Sequence, residues 1–256
     1  MQTEFAMTPP AEKPLWVDVS HLVTEDDTPV DNPFSEKQMR LLTHPLYASW
    51  NPGVPFVAMA NVGLYFALNA PVLVPDTLVS VGVELPPDIR LKEHRAYFSW
   101  LYGKSPDVVV EIVSNREGGE LDRKMRGYAY HGVPYYAVFD PDLLIQPVRL
   151  QCYRLRHPGH AAKYEAVSDT MFEGAELGLV EWEGTFEHST EHWVRWVDKE
   201  GHIILTAEER AAKSDARAAR SDARAAWSDA QAARSDARAA ALEAKLRALG
   251  ADPDAI

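Results

Sequence analysis

Residues 105–141 read SPDVVVEIVSNREGGELDRKMRGYAYHGVPYYAVFDP, and the order of residue types predicts a strand, a turn, a helix and a second strand. The first strand spans residues 108–113, which are apolar at every position except Glu111. An apolar run of this length is typical of a strand that is buried on both faces of a sheet. A charged side chain is unusual inside such a strand, so Glu111 is a candidate functional residue.

The helix of this stretch begins near Glu120, where apolar residues start to recur at helical spacing. Gly132 and Pro134 end it, because neither residue continues a helix well. Residues 135–139 are aromatic and β-branched, which predicts the second strand. The two strands and the helix between them form the centre of the expected fold.

A third buried strand is predicted at residues 77–83. Asp76 stands at its entrance, directly after Pro75, and a proline keeps the residue before it extended. A second acidic residue therefore lies at the mouth of a buried strand.

Other elements can be predicted on both sides of this centre. Asn32 and Pro33 form a helix-start signal, which predicts a helix over residues 34–50, broken near Pro45. Alternating patterns predict strands at residues 150–155, 163–167 and 178–182, and a hairpin over residues 193–205 that turns at Gly201.

Length and composition predict one main domain with extensions. The chain has 256 residues and is 46% hydrophobic, enough for one substantial core but not for two large domains. We expect a flexible leader at residues 1–29, the domain at 30–205, a long helix at 206–250 and a tail at 251–256.

The formal net charge of −12 argues against general, charge-driven binding of nucleic acid. A local basic patch or a bound divalent cation could still reverse the field inside a cleft. The single cysteine, Cys152, excludes an internal disulfide and a CxxC metal site. Because the sequence shows neither a signal-peptide pattern nor about 18 uninterrupted apolar residues, we expect a cytoplasmic protein without a membrane span.

A seven-residue repeat follows the domain. Thr206 and Glu209 have the spacing of a capping box at a helix start. Four blocks then read SDARAA, SDARAA, SDAQAA and SDARAA, each preceded by one variable residue. Alanine is the best helix former, so one helix of about 60 Å is expected, ending near Gly250.

The repeat is compatible with a coiled coil. If Ala216 takes heptad position a, then Ala219 takes d, Asp215 takes g and Arg220 takes e. In a parallel pair Asp215 would face Arg220 of the partner. Alanine buries little area, so such a homo-oligomer would be weak. The alternative is a solitary, solvated helix.

The residues suited to chemistry are Asp76, Glu111 and Lys124. Two carboxylates on neighbouring strands can hold Mg²⁺ or Mn²⁺, and a lysine on the next helix can orient the attacking water and offset phosphate charge. This set of groups is suited to hydrolysis of a phosphodiester. Structural explanations also exist: Asp76 as a strand cap, Glu111 as a buried ion-pair partner of an arginine, and Lys124 on a solvated helix face.

The order PD, then PDVVVEIVS, then DRKMRGYAYHGVPYYAVFDP resembles the Uma-two family, within the PD-(D/E)xK nuclease superfamily. The resemblance is strongest over residues 71–141. It implies an α/β (α+β) fold of the restriction-endonuclease-like type, in which helices flank a mixed sheet, and metal-dependent cleavage of DNA.

Carried over by position, the resemblance makes Asp76 and Glu111 the metal ligands. The lysine of the superfamily motif is missing, because Val113 occupies its position. In this family the role passes to a lysine on the following helix, which here is Lys124. By analogy the backbone carbonyl of Ile112 could also reach the metal, and Glu36 on the first helix is a further candidate acid.

Three arginines lie around the turn and the helix after the first strand: Arg116, Arg123 and Arg126. They could receive DNA phosphates. Equally, they could pair on the surface with acidic residues of the same segment, including Glu120.

Two functions remain open at this point. The first is a Mg²⁺-dependent endonuclease that uses Asp76, Glu111 and Lys124. The second is a noncatalytic scaffold with a nuclease-like core, which recruits a partner through the helix at residues 206–250.

Overall fold

The computed structural model describes residues 18–22, 32–156 and 162–248. The helices are α1 Pro33–Ser49, α2 Ser99–Tyr102, α3 Met125–Tyr130 and α4 Ala207–Ala248. The strands are β1 Phe56–Ala60, β2 Leu64–Tyr65, β3 Thr77–Val81, β4 Tyr97–Phe98, β5 Val108–Ile112, β6 Tyr135–Phe139, β7 Leu150–Arg156, β8 Lys163–Val167, β9 Met171–Phe172, β10 Leu177–Phe186 and β11 Ser189–Asp198.

Six strands form the main sheet in the order β1, β3, β5, β6, β7, β8. Within this sheet β5 and β6 are parallel, because the turn and α3 between them form a crossover connection. The other neighbouring pairs are antiparallel. The predicted mixed α/β fold, with helices and a long C-terminal helix, is confirmed.

Strand β5 lies in the middle of this sheet and is buried on both faces, as its apolar run predicts. Val108, Val110 and Ile112 pack in one core cluster with α1 and the strands of a second sheet. Val109 and Val113 point the other way and pack with Tyr128 of α3. Because side chains alternate along a strand, Glu111 faces the α3 side.

Helix α1 packs against the main sheet and against β11. Gln38 of α1 exchanges two hydrogen bonds with the backbone of Val194, at 2.8 and 2.9 Å, and the Trp196 indole N–H donates to the Leu42 carbonyl at 2.6 Å. The predicted break near Pro45 is wrong, because the helix continues through Pro45 to Ser49. Packing on two sides holds the helix together across this position.

The second sheet has three antiparallel strands in the order β11, β10, β9. The sequence predicts only residues 178–182 for β10, whereas the strand runs from Leu177 to Phe186. It continues through Gly184, where a side chain would clash with the ring of Trp182.

The predicted hairpin over residues 193–205 is only partly present. Gly201 has the expected positive φ of 81°, but the turn leads to a single bridge between Val197 and Ile203. The main partner of β11 is β10, which pairs with it over ten residues. The hairpin is predicted from residues 193–205 alone, and β10 precedes that segment.

Part of the predicted leader is described. Val19 is buried and packs in a cluster with Tyr65, Ala96 and Phe98. Residues 1–17 and 23–31 lie outside the described residues, as do the predicted end of the last helix at Gly250 and the tail at residues 251–256.

Contacts divide the chain into two units, Met1–Ile204 and Leu205–Ile256. In the second unit the capping box forms as predicted, since the Thr206 N–H donates to Glu209 and the Glu209 N–H donates to the Thr206 hydroxyl. No residue of α4 is buried. No helix among the described residues is long and apolar enough to cross a membrane.

The loop after β6 depends on a buried carboxylate. Asp140 has no exposed surface and accepts hydrogen bonds from the backbone N–H groups of Leu144, Ile145 and Gln146. It fixes the chain at the end of the strand that pairs with β5.

We predict that Asp140→Ala lowers the free energy of unfolding by about 2–4 kcal/mol, because three backbone donors, one of them on a buried residue and two on half-buried residues, lose their acceptor. Urea denaturation in metal-free buffer measures the change. Asp142→Ala is the matched control, since Asp142 is exposed two residues away. Equal stability of the two variants would contradict the anchoring role of Asp140.

Candidate active site

Glu111 is the deepest acidic residue of the candidate site. It lies on β5 with no exposed surface. Each of its carboxylate oxygens accepts one hydrogen bond: Lys124 donates to Oε2 at 2.8 Å and the Tyr128 hydroxyl donates to Oε1 at 2.7 Å. The expected explanation of Glu111 as a partner of a buried arginine is therefore wrong, because its ion-pair partner is Lys124.

Asp76 comes next to Glu111 through the pairing of β3 with β5. The antiparallel register aligns Thr77 with Val110, so the next step places Asp76 opposite Glu111. The Asp76 Oδ2 atom accepts a hydrogen bond of 2.6 Å from the Ile112 N–H. Asp76 and Glu111 thus lie at the same end of these two neighbouring strands.

The sequence contains two Pro-Asp pairs close to these strands, and the structure separates their roles. Asp107 precedes β5, at the end opposite to Glu111. It forms an ion pair of 2.6 Å with Lys104 and accepts from the Val81 N–H. Asp107 is a structural cap, whereas Asp76 lies beside the buried glutamate.

The turn before α3 brings Lys124 back toward β5. Gly119 has a φ of +77°, which favours glycine, and at Gly118 a side chain would collide with the Glu120 carboxylate. Residues Glu120–Lys124 then form a π-helical turn, in which the Lys124 N–H donates to the Gly119 carbonyl at 3.0 Å. Such turns are frequent at functional sites.

Glu120 is a third acid in this environment. It is only 6% exposed, and its Oε1 atom lies 3.9 Å from the Lys124 ammonium. Its backbone carbonyl accepts a hydrogen bond of 2.8 Å from the buried Tyr136 hydroxyl. Lys124 is therefore held between the carboxylates of Glu111 and Glu120.

The electrostatics follow from burial. Burial and the neighbouring Asp76 raise the pKa of Glu111 from 4.5 to about 8, although Lys124 and Tyr128 act in the opposite direction. For Lys124, burial lowers the pKa, but Glu111, Asp76 and Glu120 outweigh it and the net change is upward. Burial keeps the pKa of Tyr128 well above its usual value, so the phenol stays a donor.

The chain matches a family model described as "Uma2: Putative restriction endonuclease" over residues 25–187, more than half of its length. The chain belongs to this family. It also resembles the crystal structure of a "putative nuclease belonging to DUF820" from Anabaena variabilis, with 15% identity, 56% of this chain and 73% of that chain covered, and a TM-score of 0.37. No curated protein matches the chain significantly.

Restriction-endonuclease-like families generally use divalent metals, and the residues of this Uma2 member fit such an ion. Carboxylate oxygens are the donors that Mg²⁺ and Mn²⁺ prefer. Each carboxylate can accept about four hydrogen bonds, so the single bonds to the Glu111 oxygens leave capacity for a metal. Burial raises the pKa of Glu111 and the neighbouring Asp76 carboxylate adds to the rise, so a cation beside the two carboxylates would favour the ionised form of Glu111.

Other predicted site residues differ in their surroundings. Arg116 and Arg123 are exposed on the segment around the turn. Arg126 is also exposed and forms an ion pair with Asp122. Glu36 pairs with Arg40 on α1, which makes it part of a surface ion pair and does not support its expected role as an extra site acid.

Sequence reasoning missed Glu120 and Tyr128 as members of the site. A signal was present: Glu120, Lys124 and Tyr128 are spaced by four residues, which aligns side chains on one face of a helix. From the sequence, Glu120 is expected to pair with an arginine on the surface, whereas in the structure it is buried beside Lys124.

A separate acidic group occurs in the turn after β11. Among the described residues, Asp198, Glu200 and His202 are the one group of three whose ligand atoms lie within 4.8 Å of one another. The N–H groups of Glu200 and His202 both donate to Asp198 Oδ1. The geometry is that of a turn closed by an aspartate.

We predict that the metal-free protein loses stability as pH rises from about 4.5 to about 8, relative to a Glu111→Gln variant. The folded pKa of Glu111, about 8, exceeds its ordinary value of 4.5, so the folded state binds the proton more tightly than the unfolded state does. Stability from this group is fully present below pH 4.5 and is lost as pH rises through 8. Urea denaturation in EDTA at three pH values measures the effect.

Glu117→Gln is the control for this comparison, because Glu117 is an exposed glutamate on the turn that follows β5. This control should follow the parent at each pH. A constant stability difference between the parent and Glu111→Gln across the pH range would contradict the raised pKa.

Proposed function

We propose that this Uma2-family chain is a Mg²⁺- or Mn²⁺-dependent endonuclease that hydrolyses phosphodiester bonds in DNA. One observation carries the proposal: Asp76, directly before β3, and Glu111, on the neighbouring β5, lie at the same end of the two strands, and Lys124 donates to Glu111 at 2.8 Å. Two carboxylates and one lysine at one end of these strands supply the groups that metal-assisted phosphodiester hydrolysis requires.

Asp76 and Glu111 would hold the metal through carboxylate oxygens. A bound Mg²⁺ or Mn²⁺ supplies charge stabilisation at the phosphate and lowers the pKa of a coordinated water. The hydrogen bond from the Ile112 N–H orients Asp76, and the Tyr128 hydroxyl orients Glu111. The ligand side chains are thus arranged before the ion binds, which limits reorganisation during the reaction.

Lys124 would act as a cation and not as a base. Its raised pKa keeps the ammonium protonated near neutral pH. A protonated lysine can donate to the attacking water or to a phosphate oxygen, and its charge offsets the negative charge of the reacting group. Glu120 would keep the ammonium directed toward the site, since its carboxylate lies 3.9 Å away.

Phosphate contacts outside the site would come from the arginines near the turn. Arg116 and Arg123 are exposed, and no carboxylate among the described residues forms an ion pair with either. Arg126 already pairs with Asp122. We therefore assign the phosphate contacts to Arg116 and Arg123 first.

We predict that Asp76→Asn, Glu111→Gln and Lys124→Met each lower the rate of metal-dependent DNA cleavage on the order of 100-fold or more. Calorimetry with Mn²⁺ should separate the roles: the two acid variants lose Mn²⁺ affinity, whereas Lys124→Met retains it. Cleavage of plasmid and linear DNA in Mg²⁺ and in Mn²⁺ gives the rates.

The controls for this experiment are Asp142→Asn and Lys199→Met, which change exposed residues of the same types. Their cleavage rates should equal that of the parent. If the parent neither binds Mn²⁺ nor cleaves DNA, the endonuclease proposal is wrong and the noncatalytic scaffold is the better explanation.

We predict that Arg116→Ala and Arg123→Ala weaken DNA binding with little dependence on sequence, and that each lowers the slope of log affinity against log salt by about one. Arg126→Ala should have a smaller effect, because Asp122 already neutralises that side chain. Binding is measured with Ca²⁺ in place of Mg²⁺, at several salt concentrations. If all three variants and the parent have the same salt slope, these arginines do not contact DNA phosphates.

A further inference from the structure

The charges of α4 are poorly arranged for a helix that stands alone. On a helix, side chains three and four residues apart are neighbours. Asp215 has alanine at all four such positions, and the same holds for the aspartates of the next three blocks, Asp222, Asp229 and Asp236. Aspartate is a weak helix former, so its recurrence every seven residues without a partner on its own helix needs another cause.

The arginines of the repeat have the opposite problem. Arg220 lies three residues after Arg217 and four residues before Arg224, so each has a like charge as its neighbour. Like charges at these spacings destabilise a helix. In the described part of α4, none of the four repeat aspartates forms an ion pair that could offset this repulsion. The charge pattern is therefore unfavourable within one chain.

The same charges match when two copies of α4 lie parallel and in register. With Ala216 at a and Ala219 at d, a g residue faces the e residue five positions later in the partner. This rule joins opposite charges in three places along the helix: Glu208 with Lys213, Asp215 with Arg220, and Asp229 with Arg234. In the two other places Asp222 faces Trp227 and Asp236 faces Ala241.

In an antiparallel pair of α4 helices, like charges would face each other. In that arrangement g faces g and e faces e. Aspartates would then meet aspartates, and arginines would meet arginines. The order of charges therefore selects a parallel neighbour with the same sequence.

We propose that α4 binds α4 of a second copy of this chain, parallel and in register, with the alanines at a and d in the contact. The exposure of the helix agrees with this partner. No residue of α4 is buried within one chain, and Trp227, which flanks the contact at e, is 68% exposed. The charge pairs set the orientation and register, and the alanines allow the helix backbones to approach closely.

A second seam has to be distinguished from this one. A contact through Ala218 and Ser221 would place Arg217 opposite Asp222 of the partner, which is also a favourable pair. It would put a serine hydroxyl at every second contact position, where burial without a partner is costly. The contact through Ala216 and Ala219 has alanine at both positions and avoids this cost.

The first test reverses charges at e. Arg220→Glu with Arg234→Glu should turn a dimer into a monomer, measured by light scattering and sedimentation of the full chain at a concentration where the parent is dimeric. The control is Arg224→Glu with Arg238→Glu at b, which changes the net charge equally and leaves the dimer intact. Both variants place glutamate beside an arginine of the same helix, so circular dichroism should show no loss of helix in either.

A second variant supplies the rescue. Asp215→Lys with Asp229→Lys should also be monomeric, because lysine then faces arginine. Mixed with the Arg220→Glu, Arg234→Glu protein, it should form a heterodimer in which every changed pair is again opposite in charge. Dissociation of the b-position control, with the e-position variant still dimeric, would instead favour the seam of Ala218 and Ser221 and overturn the proposed contact.

Orientation is tested by crosslinking. Ala216→Cys should form a disulfide-linked dimer under mild oxidation, since parallel, in-register helices bring the two a positions together. Ser214→Cys at f should not, and the native Cys152 is buried and does not interfere. A parent that stays monomeric at all concentrations, or a dimer in which Ala216→Cys does not crosslink, overturns the proposal.

Discussion

The fold around the candidate site depends on the burial of the Glu111 carboxylate. An isolated charge at this depth would be very costly, and removing one partner of a buried ion pair typically costs about 3–5 kcal/mol. Lys124 and Tyr128 offset this cost by donating to the two oxygens. Lys124 comes from the π-helical turn and Tyr128 from α3, so the two hydrogen bonds tie both segments to β5.

This requirement explains the unusual entry into α3. The chain has to leave β5, turn, and deliver Lys124 and Tyr128 to the same carboxylate. The glycines at 118 and 119 permit the tight approach, and the π-helical turn adjusts the position of Lys124 relative to the helix that follows. Glu120, which the same turn buries, forms a second ion pair with the Lys124 ammonium.

The sequence predicted the parts of the fold whose signals are local. The apolar run around Glu111 and the strand after Asp76 both gave correct strands, and the capping box at Thr206 formed as expected. The spacing of four residues indicates that Glu120 shares a helix face with Lys124, but its burial also depends on Tyr136 and on a turn geometry that composition does not specify. The length of β10 and the continuity of α1 through Pro45 depend on packing between distant segments, for which the sequence alone has no direct signal.

The absence of a lysine at position 113 follows from the same packing. Val113 is only 2% exposed and belongs to the apolar cluster that includes Tyr128 and Tyr136. A lysine there would put a charge among buried rings, where the phenols already act as donors toward the two glutamates. Lys124 reaches Glu111 from the helix without entering that cluster. In the proposed site the ammonium is therefore supplied by the π-helical turn before α3, because position 113 on the strand is occupied by an apolar core residue.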